Sequence, residues 1–297
     1  MLDFRIETFL CVCKHLNYTK AANELNITQP GVSQHIKYLE NYYGDKLFCY
    51  SNKKLNLTRA GLDLRDAMIS LKHDNVHLQN KIKERVEGFN SIKFGATLTI
   101  GDFLLPLKIS DYLQRNPHTQ IDFTIANTKE LLTLLEDGKI DFAIVEGYFQ
   151  KSGYEYRTIS SEKYILVCGT DYPLGQVEDF KELFCHNLLL REDGSGPKEI
   201  LERYLADHGY TFSDFSSTSI ISSIHAIKQL VENGQGISFM YEIAAKKELE
   251  EGRLKVVAIA DFDVCHEFNY IWRKNSAFYE YYQTLFTSLF DADKGKK

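Results

Sequence analysis

The chain has 297 residues, of which 44% are hydrophobic, so it is long enough to bury sizeable cores in two or three domains. Its formal net charge of −6 is unevenly distributed. Residues 1–60 carry eight Lys/Arg and five Asp/Glu, a balance of +3, which leaves −9 for the remainder. The acidic total therefore does not exclude an anionic partner for the first part of the chain.

The first residues, MLDFRIETFLCVC, predict an amphipathic helix rather than a signal peptide, because an acid and an arginine precede any apolar run. No apolar stretch is long enough to span a bilayer, so we expect a cytoplasmic protein. The six cysteines lack CxxC spacing and are interpreted as reduced, buried residues. Cys11 and Cys13 lie about 200° apart on a helix and are not expected to share a metal. A redox pair such as Cys168 and Cys185 is the alternative.

Two short helices joined by a tight turn are predicted between residues 17 and 40. Asn17 and Thr28 are each placed as an N-cap, and Val32, Ile36 and Leu39 form an apolar stripe on the second helix. The opposite face carries donors and acceptors, the groups that reach base edges when a recognition helix enters the major groove. An ordinary helical hairpin with a polar surface is the alternative. The predicted DNA contacts of this helix are Thr28, Gln29, Pro30, Ser33, Gln34 and Lys37.

A small β-wing is predicted after Gly44, which ends the second helix. The tip of the wing carries Lys53 and Lys54 between short alternating apolar runs, and these lysines are expected to lie against the phosphate backbone.

The segments AANELNITQPGVSQHIKYLE, GDKLF and LTRAG resemble the DNA-binding half of a LysR-type transcriptional regulator. The resemblance covers about the first sixty residues, and the order of later landmarks extends it over the whole chain. It implies a winged helix-turn-helix, a long linker helix and two Rossmann-like α/β lobes that resemble type II periplasmic binding proteins. One departure is Tyr50, where the family usually has a basic residue; Lys53 matches the next basic position.

The predicted domains follow these changes of pattern. Residues 1–58 form the DNA-binding domain and residues 59–88 the linker and dimerisation helix. Residues 89–162 and 266–297 form lobe I of the effector domain, and residues 163–265 form lobe II.

The linker helix is predicted to run from Arg59 to about Gly88 after the cap Thr58. Its apolar spacing of four and three residues is typical of a coiled-coil seam, with Asn75 at a position that selects the pairing rather than strengthening it. Alternatively, Asn75 faces solvent and the helix packs on its own chain. His73 and His77 fall on the outer positions, where a solvated face is expected rather than a metal site. The predicted dimerisation residues are Leu64, Met68, Leu71, Asn75, Leu78 and Ile82.

Strand and helix patterns alternate from Ser91 onwards, beginning with the strand SIKFGAT, the helix LLPLKISDYLQRN, the strand TQIDFTIANT, the helix KELLTLLEDGK and the buried strand IDFAIVEG. This alternation predicts βαβ units with a parallel sheet. The pattern resumes with KYILVCGTD, LLLREDGSGPKEILERYLADHG, a helix from Ile224 to Asn233 and GISFMYE, and it closes with the strand EFNYIWRK and the helix SAFYEYYQTLFTSLF. We expect the chain to cross between lobes near Ser161 and to return near Cys265.

Three loops are predicted to face the cleft between the lobes, since ligands of open α/β sheets gather at the carboxyl ends of the strands. The first, GATLTIG, offers hydroxyls and free backbone N–H groups to an anion, and the second places the Glu146 carboxylate to accept from a ligand hydroxyl or amine. The third, REDGSGPK, resembles the RE-x-GSG-TR segment of one branch of the family, with Pro197 and Lys198 in place of Thr and Arg.

Opposite these loops, Ser223 and Lys228 match the family pattern that precedes V-x-x-G-x-G-I. The same glycines and hydroxyls also serve as turn and cap residues, which is the alternative at each position. The predicted effector-binding residues are Thr97, Thr99, Glu146, Gly147, Gly194, Ser195, Lys198 and Ser223.

The sequence thus predicts a homodimeric or tetrameric regulator that reads a pseudo-palindromic DNA site and answers to a small polar effector, with an anion favoured. RNA polymerase is a possible further partner, and no cofactor, metal or catalytic residue is expected. An enzyme built on Ser195 lacks the G-x-S-x-G context, and a solute-binding protein would not explain the first ninety residues. A redox- or partner-responsive regulator without a small-molecule effector is the other alternative.

Overall fold

A computed structural model describes residues 3–149 and 151–291. Residues 1–2, 150 and 292–297, which the predicted domains also include, lie outside this part. The N-terminal unit contains three helices and a hairpin, namely α1 (Phe4–His15), α2 (Tyr18–Glu24), α3 (Gln29–Tyr43), β1 (Phe48–Ser51) and β2 (Lys54–Leu57).

The predicted caps begin the helices of this unit. The Asn17 side chain accepts a hydrogen bond from the backbone N–H of Lys20 at 2.9 Å, and the Thr28 hydroxyl accepts one from Gly31 at 3.2 Å. The apolar stripe of α3 is buried in a small core with residues of α1 and the wing, including Phe9, Val12 and Phe48. Burial of that stripe turns the polar face of α3 outward.

The wing is a tight antiparallel hairpin in which Ser51 pairs with Lys54. Its two loop residues, Asn52 and Lys53, have φ values of 51° and 62°. Two successive left-handed residues are the geometry of a two-residue hairpin turn whose twist matches the strands. The lysine pair is therefore presented at the end of a short, defined hairpin.

The linker helix α4 (Arg59–Glu87) starts against the wing and ends at Gly88. The Thr58 hydroxyl accepts from the N–H of Gly61 at 3.0 Å. Gly61 packs so closely on the wing that a Cβ atom there would collide with the carbonyl oxygen of Leu47. The first turn of α4 is thus fixed to the DNA-binding unit.

One face of α4 packs on the effector domain, and this corrects the prediction that His73 and His77 lie on a solvated face. His77 Nδ1 lies 2.6 Å from Asp141 Oδ1, and His73 Nε2 lies 3.1 Å from the carbonyl oxygen of Ile140. Both side chains are almost fully buried. Their partners lie more than sixty residues away in sequence, which is why a local helical pattern assigned them to solvent.

The effector domain alternates strands and helices. Its elements are β3 (Asn90–Ala96), a π-helical turn (Ile100–Leu104), α5 (Leu105–Arg115), β4 (Thr119–Ile125), α6 (Thr128–Glu136), β5 (Phe142–Val145), β6 (Tyr154–Gly169), β7 (Asn187–Leu190), α7 (Gly196–Asp207), β8 (Ser217–Ile220), α8 (Ile224–Glu232), β9 (Ser238–Tyr241), α9 (Glu242–Glu250), β10 (Leu254–Val257), β11 (Val264–Arg273) and α10 (Tyr279–Phe286). Strands β8 and β10 and helix α9 were not predicted from the sequence.

The main sheet has the order β10-β6-β11-β5-β3-β4, with β9 also paired to β6, and β7 and β8 form a separate parallel pair. Strands β3, β4 and β5 are parallel, as predicted, whereas β6, β9, β10 and β11 pair antiparallel. The sheet is therefore mixed, because two long strands cross between the lobes. They pair with each other where the crossings are predicted, with Ser161 opposite Glu267 and Lys163 opposite Cys265.

The largest hydrophobic cluster runs through both lobes and is rich in aromatic rings, with Phe94 stacked on Phe142 and Tyr270 tilted against Phe142. No helix within the described ranges is both long and apolar enough to cross a membrane.

Candidate DNA interface and effector cleft

The predicted DNA-contacting residues share one exposed face at the start of α3. Thr28, Gln29, Pro30, Gln34 and Lys37 are exposed, and Ser33 is half-buried. The Gln29 side-chain amide donates to the Ser33 hydroxyl at 3.0 Å, which orients one donor group on this face. Lys53 and Lys54 at the wing tip are also exposed. This surface offers amides and hydroxyls from one helix end and positive charge from the wing.

The predicted dimerisation residues of α4 fall into two groups, one exposed to solvent and one packed in the DNA-binding unit. Leu71, Leu78 and Ile82 are 50%, 47% and 57% exposed, an unusual exposure for large apolar side chains along one helix. Asn75, between them, is half-buried. Leu64 is instead buried in the core of its own DNA-binding unit, and Met68 packs against that core. The open seam therefore begins at Leu71, and Leu64 is corrected to a core residue.

The first two predicted cleft loops meet at Glu146. The Thr99 hydroxyl donates to Glu146 Oε1 at 3.1 Å, and the Thr128 hydroxyl donates to the Glu146 backbone oxygen at 3.2 Å. Thr97 lies beside them, anchored by a backbone hydrogen bond to Ile144. All four side chains of this group, those of Thr97, Thr99, Thr128 and Glu146, are buried.

Burial raises the pKa of Glu146 from its ordinary value of 4.5 to about 8, while the Thr99 hydroxyl and the Arg191 charge act in the opposite direction. At neutral pH the carboxyl group is therefore protonated and able to donate a hydrogen bond. Its Oε2 atom, the Thr97 hydroxyl and the Tyr241 hydroxyl find no hydrogen-bond partner among the described residues. Buried polar atoms without partners cost free energy unless a ligand or water satisfies them.

The third predicted loop lies against the second at two glycines. Gly147 has a φ of 83°, and a Cβ on it would lie 3.1 Å from the Cα of Gly196. A Cβ on Gly196 would lie 2.8 Å from the Cγ of Glu146. Only glycine permits this approach, which brings the start of α7 onto the buried glutamate.

The polar side chains of the third loop bind one another. Arg191 donates two hydrogen bonds of 2.8 Å to the Glu192 carboxylate, and the Ser195 hydroxyl donates to the Glu192 backbone oxygen at 2.8 Å. Lys198 is paired with Asp193. Gly194 has a φ of 83°, as this turn requires. The Ser195 hydroxyl is therefore a loop-stabilising donor in this structure.

Ser223 is an exposed cap, and it accepts from the N–H of Ala226 at 3.3 Å to begin α8. Lys228 is buried, with its Nζ 2.8 Å from Glu248 Oε1 and 2.9 Å from the Ala244 backbone oxygen. The residues that match the family pattern here are thus a helix cap and a buried ion pair.

Tyr164 and Tyr241 lie near Glu146 and were not among the residues predicted from the sequence. The Tyr164 hydroxyl donates to the Pro197 backbone oxygen at 2.7 Å, and its ring packs 5.6 Å from that of Tyr241. Both are buried, and the Glu146 carboxyl contributes to raising the pKa of each hydroxyl, after burial itself. The only available signal was a tyrosine within each apolar strand, in KYILV and SFMY, and that pattern reads as core.

The cysteines are free, but Cys49, Cys185 and Cys265 are exposed, which corrects the expectation that all six are buried; Cys168 and Cys185 were the alternative redox pair. Cys168 is buried, and burial raises the pKa of its thiol, whereas Cys185 is exposed. A raised pKa lowers the thiolate fraction that oxidation requires.

A cavity of about 530 Å³ lies outside the predicted cleft, between α5, β6 and the C-terminal helix. Its lining includes Arg157, Ser160, Phe286 and Phe290, and none of the predicted effector residues. The Ser160 hydroxyl of this cavity has no hydrogen-bond partner among the described residues, as is also the case for Glu146 Oε2, Thr97 and Tyr241 in the predicted cleft.

Comparison with known proteins accounts for both halves of the chain. Residues 5–62 match the model "Bacterial regulatory helix-turn-helix protein, lysR family", and residues 87–292 match the model "LysR substrate binding domain". An HTH-type transcriptional regulator of Methanocaldococcus jannaschii is 30% identical over 263 residues, which cover 87% of this chain and 88% of that protein.

Solved structures share the fold. An OxyR variant of Corynebacterium glutamicum with bound hydrogen peroxide has a TM-score of 0.62 at 23% identity, covering 98% of this chain and 92% of that one. The regulatory domain of CcmR from Synechocystis, in complex with 2-PG, has a TM-score of 0.60 at 18% identity, covering 69% of this chain and 98% of that one. With a helix-turn-helix model and an effector-domain model together matching most of its length, this chain belongs to the LysR family of transcriptional regulators.

Proposed function

We propose that this regulator reads DNA with the N-terminal half of α3 and positions itself with the wing. The observation that carries the proposal is the exposed polar face at Gln29, Ser33 and Gln34, held outward by the buried stripe of α3. Amides at this place reach base edges in the major groove, while Lys53 and Lys54 meet phosphates. The function is binding, not catalysis.

The protein acts in the cytoplasm as a homodimer joined along α4, and two dimers form a tetramer on DNA. The exposed Leu71, Leu78 and Ile82 support this arrangement, because pairing would remove them from water. A two-fold axis gives a pseudo-palindromic site with half-sites about 34 Å apart or multiples of that spacing. Contact with RNA polymerase would be the route from DNA binding to transcription.

The effector is a small anion that binds between the lobes at Glu146. The supporting observations are the Thr97 hydroxyl and the Glu146 Oε2 atom, which have no hydrogen-bond partner among the described residues, and the raised pKa that keeps the Glu146 carboxyl protonated. Both groups can donate hydrogen bonds, whereas an ionised glutamate would repel an anion. Effector binding shifts the equilibrium between two arrangements of the dimers. The size of the shift equals the difference in effector binding free energy between the two arrangements, typically about 1 to 3 kcal/mol.

The DNA-binding part is tested by selecting sites for the full-length protein from randomised duplex DNA. We expect recovered sequences with two related, inverted half-sites. Recovery of unrelated sequences, bound only through charge, would contradict base reading by α3.

The effector part is tested by thermal unfolding against 2-PG, other small phosphates and carboxylates, amines and neutral sugars. A ligand at about one hundred times its Kd adds roughly 2.7 kcal/mol of stability, which is readily measured. We expect anions to stabilise the protein more at about pH 6.5 than at about pH 9, because ionised Glu146 repels them. The Thr97→Val variant should lose this stabilisation but still bind DNA. Stabilisation by amines alone would overturn the assignment.

A further inference from the structure

Cys11, His15 and Glu24 come together where α1 meets α2 in the DNA-binding unit. The Cys11 sulfur, a ring nitrogen of His15 and a carboxylate oxygen of Glu24 all lie within 4.8 Å of one another. Within residues 3–149 and 151–291, these three are the one such group of His, Cys, Asp and Glu side chains.

The local structure explains the convergence. Cys11 and His15 are four residues apart on α1, a spacing that places two side chains on the same face of a helix. Glu24 is the last residue of α2, and α2 packs on α1 through the small side chains of Ala21 and Ala22. The Cys11 sulfur reaches to 3.8 Å from the backbone oxygen of Ala21. The packing of α2 on α1 therefore brings the three side chains together.

The solvent exposure of the three residues increases from Cys11 to His15 to Glu24. Cys11 is 7% exposed, whereas the side chains of His15 and Glu24 are 25% and 43% exposed. His15 Nε2 and Glu24 Oε2 are 2.6 Å apart. An ion can thus arrive from solvent at the His–Glu pair while the sulfur closes the inner side.

We propose that Cys11, His15 and Glu24 bind a divalent transition-metal ion of the Zn²⁺ class. A thiolate, an imidazole and a carboxylate are the three side-chain ligands that zinc takes, and a water completes four-coordination. An ion at about 2.0 to 2.3 Å from each ligand would hold the three atoms roughly 3.3 to 3.7 Å apart. The 2.6 Å separation of His15 and Glu24 would therefore widen, while the sulfur already lies within 4.8 Å of both atoms. On binding, the Cys11 thiol loses its proton to solvent and the sulfur bonds to the metal as thiolate.

Lys14 is the group that competes with the ion. Its Nζ lies 2.9 Å from Glu24 Oε1 and 3.1 Å from Oε2. In the metal-bound state Lys14 keeps its hydrogen bond to Glu24 Oε1, and Glu24 Oε2 binds the metal instead of contacting His15. A positive charge beside the ion weakens binding, so removing it should tighten metal affinity.

The bound ion would join α1 to α2, the two helices on which α3 packs. Anything that binds the folded unit and not the unfolded chain stabilises it by mass action. Metal supply would therefore set the stability of the DNA-binding unit, independently of the effector cleft.

Cobalt(II) is the probe for the full-length protein, because it takes the same site as zinc and is visible. We expect one cobalt per chain, with a thiolate-to-cobalt charge-transfer band that zinc abolishes. The Cys11→Ser variant should lose the band, and His15→Gln or Glu24→Gln should each weaken binding about tenfold or more. Cys13→Ser, on the same helix but outside the cluster, should keep it.

Lys14→Gln supplies a test that does not depend on removing a ligand. Because Lys14 and Glu24 form an exposed pair, the gain in cobalt affinity should reach at most about fivefold. Far-ultraviolet circular dichroism checks that each variant is folded, and a folded Cys11→Ser that keeps the band would overturn the proposal. Weak cobalt binding without a thiolate band in the unmodified protein, or a band lost with exposed Cys185→Ser, would overturn it as well.

Discussion

Glu146 shows how surroundings change the chemistry of a single side chain. In the sequence, a glutamate after a buried strand indicates a carboxylate that accepts hydrogen bonds. In the structure its side chain is enclosed by both lobes, and burial raises its pKa to about 8. The group is then a neutral donor at physiological pH, which reverses the ligand charge that the position favours.

The raised pKa of Glu146 gives stability a definite pH dependence. Because the folded protein holds this proton more tightly than the unfolded chain, the contribution is fully present below the ordinary pKa of 4.5 and is lost as pH rises towards about 8. Glu146→Gln should abolish that loss and be the more stable protein at about pH 8.5, by a few kcal/mol. Urea unfolding across this range measures it. The exposed Glu250→Gln is the control and should follow the unmodified protein.

Gln29 is the residue from which we expect base preference. Its amide is exposed at the start of α3 and oriented by Ser33. Gln29→Ala should cost roughly 1 to 3 kcal/mol on the selected site and little on random DNA, because a base contact is lost and phosphate contacts remain. Titration of both DNAs by fluorescence anisotropy compares the losses. Equal losses on both would remove Gln29 from base reading, and Gln79→Ala on α4 is the matched control.

The helix α4 has an exposed apolar face and a buried polar face, and only the apolar face was predicted from the sequence. Its apolar spacing predicted an open seam, and Leu71, Leu78 and Ile82 are indeed exposed. His73 and His77 were expected in solvent, and no prediction was made for Asp74. Asp74 accepts from the Ser276 hydroxyl at 2.6 Å and from the Ala277 N–H at 2.7 Å. A buried polar face looks like a solvated one until its distant partners are known.

The open face of α4 is the place to test self-association. Leu78→Glu should shift the protein from dimer to monomer, because pairing would bury an unpaired charge. Sedimentation velocity over a concentration series measures the change. Gln79→Glu introduces the same charge at the next, exposed position and should leave the dimer intact. A dimer that persists in Leu78→Glu would place the interface elsewhere.

Across the whole molecule, the position of α4 on lobe I links the DNA-binding unit to the effector domain. The joint is polar and buried, with His77 against Asp141 and Ser70 donating to the Lys274 backbone oxygen at 2.9 Å. The carboxyl of Asp141 also accepts from the backbone N–H of Lys93 at 3.3 Å. Such a joint resists sliding, so we expect α4 and lobe I to move together when the effector binds.

The His77–Asp141 contact should be energetically coupled. Each single change to Ala should cost roughly 1 to 3 kcal/mol, because the remaining partner is left buried without its hydrogen bond. The double variant should cost clearly less than the sum of the two single variants. Urea unfolding of all four proteins measures the coupling.

A second pair across the same joint serves as the comparison. Lys72 and Asp137 lie 3.2 Å apart but are partly exposed, so their coupling should be within about 1 kcal/mol of zero. Equal coupling in the two cycles would show that the buried contact does not specially hold α4 on lobe I.

The amino-acid sequence by itself determined the local structure of this protein. The caps at Asn17, Thr28 and Thr58, the apolar stripe of α3 and the open part of the α4 seam each depend on residues within a few positions of one another. Such patterns need no tertiary information, and the DNA-binding motifs that resemble the LysR family lie in the same part of the chain. The strands that carry Ser161 and Cys265 were also predictable from their apolar patterns, and they pair with each other in the structure.

Only the tertiary structure decided which polar groups are buried and what they meet. It enclosed Glu146 and so protonated it, turned His77 onto Asp141, used Leu64 in the core of its own chain and brought Glu24 to Cys11. Each of these outcomes depends on contacts between segments distant in sequence, and the free energy of a charge or polar group is set by its burial and partners. That physical dependence is why the sequence could indicate the Glu146 loop but not the raised pKa of its carboxyl group.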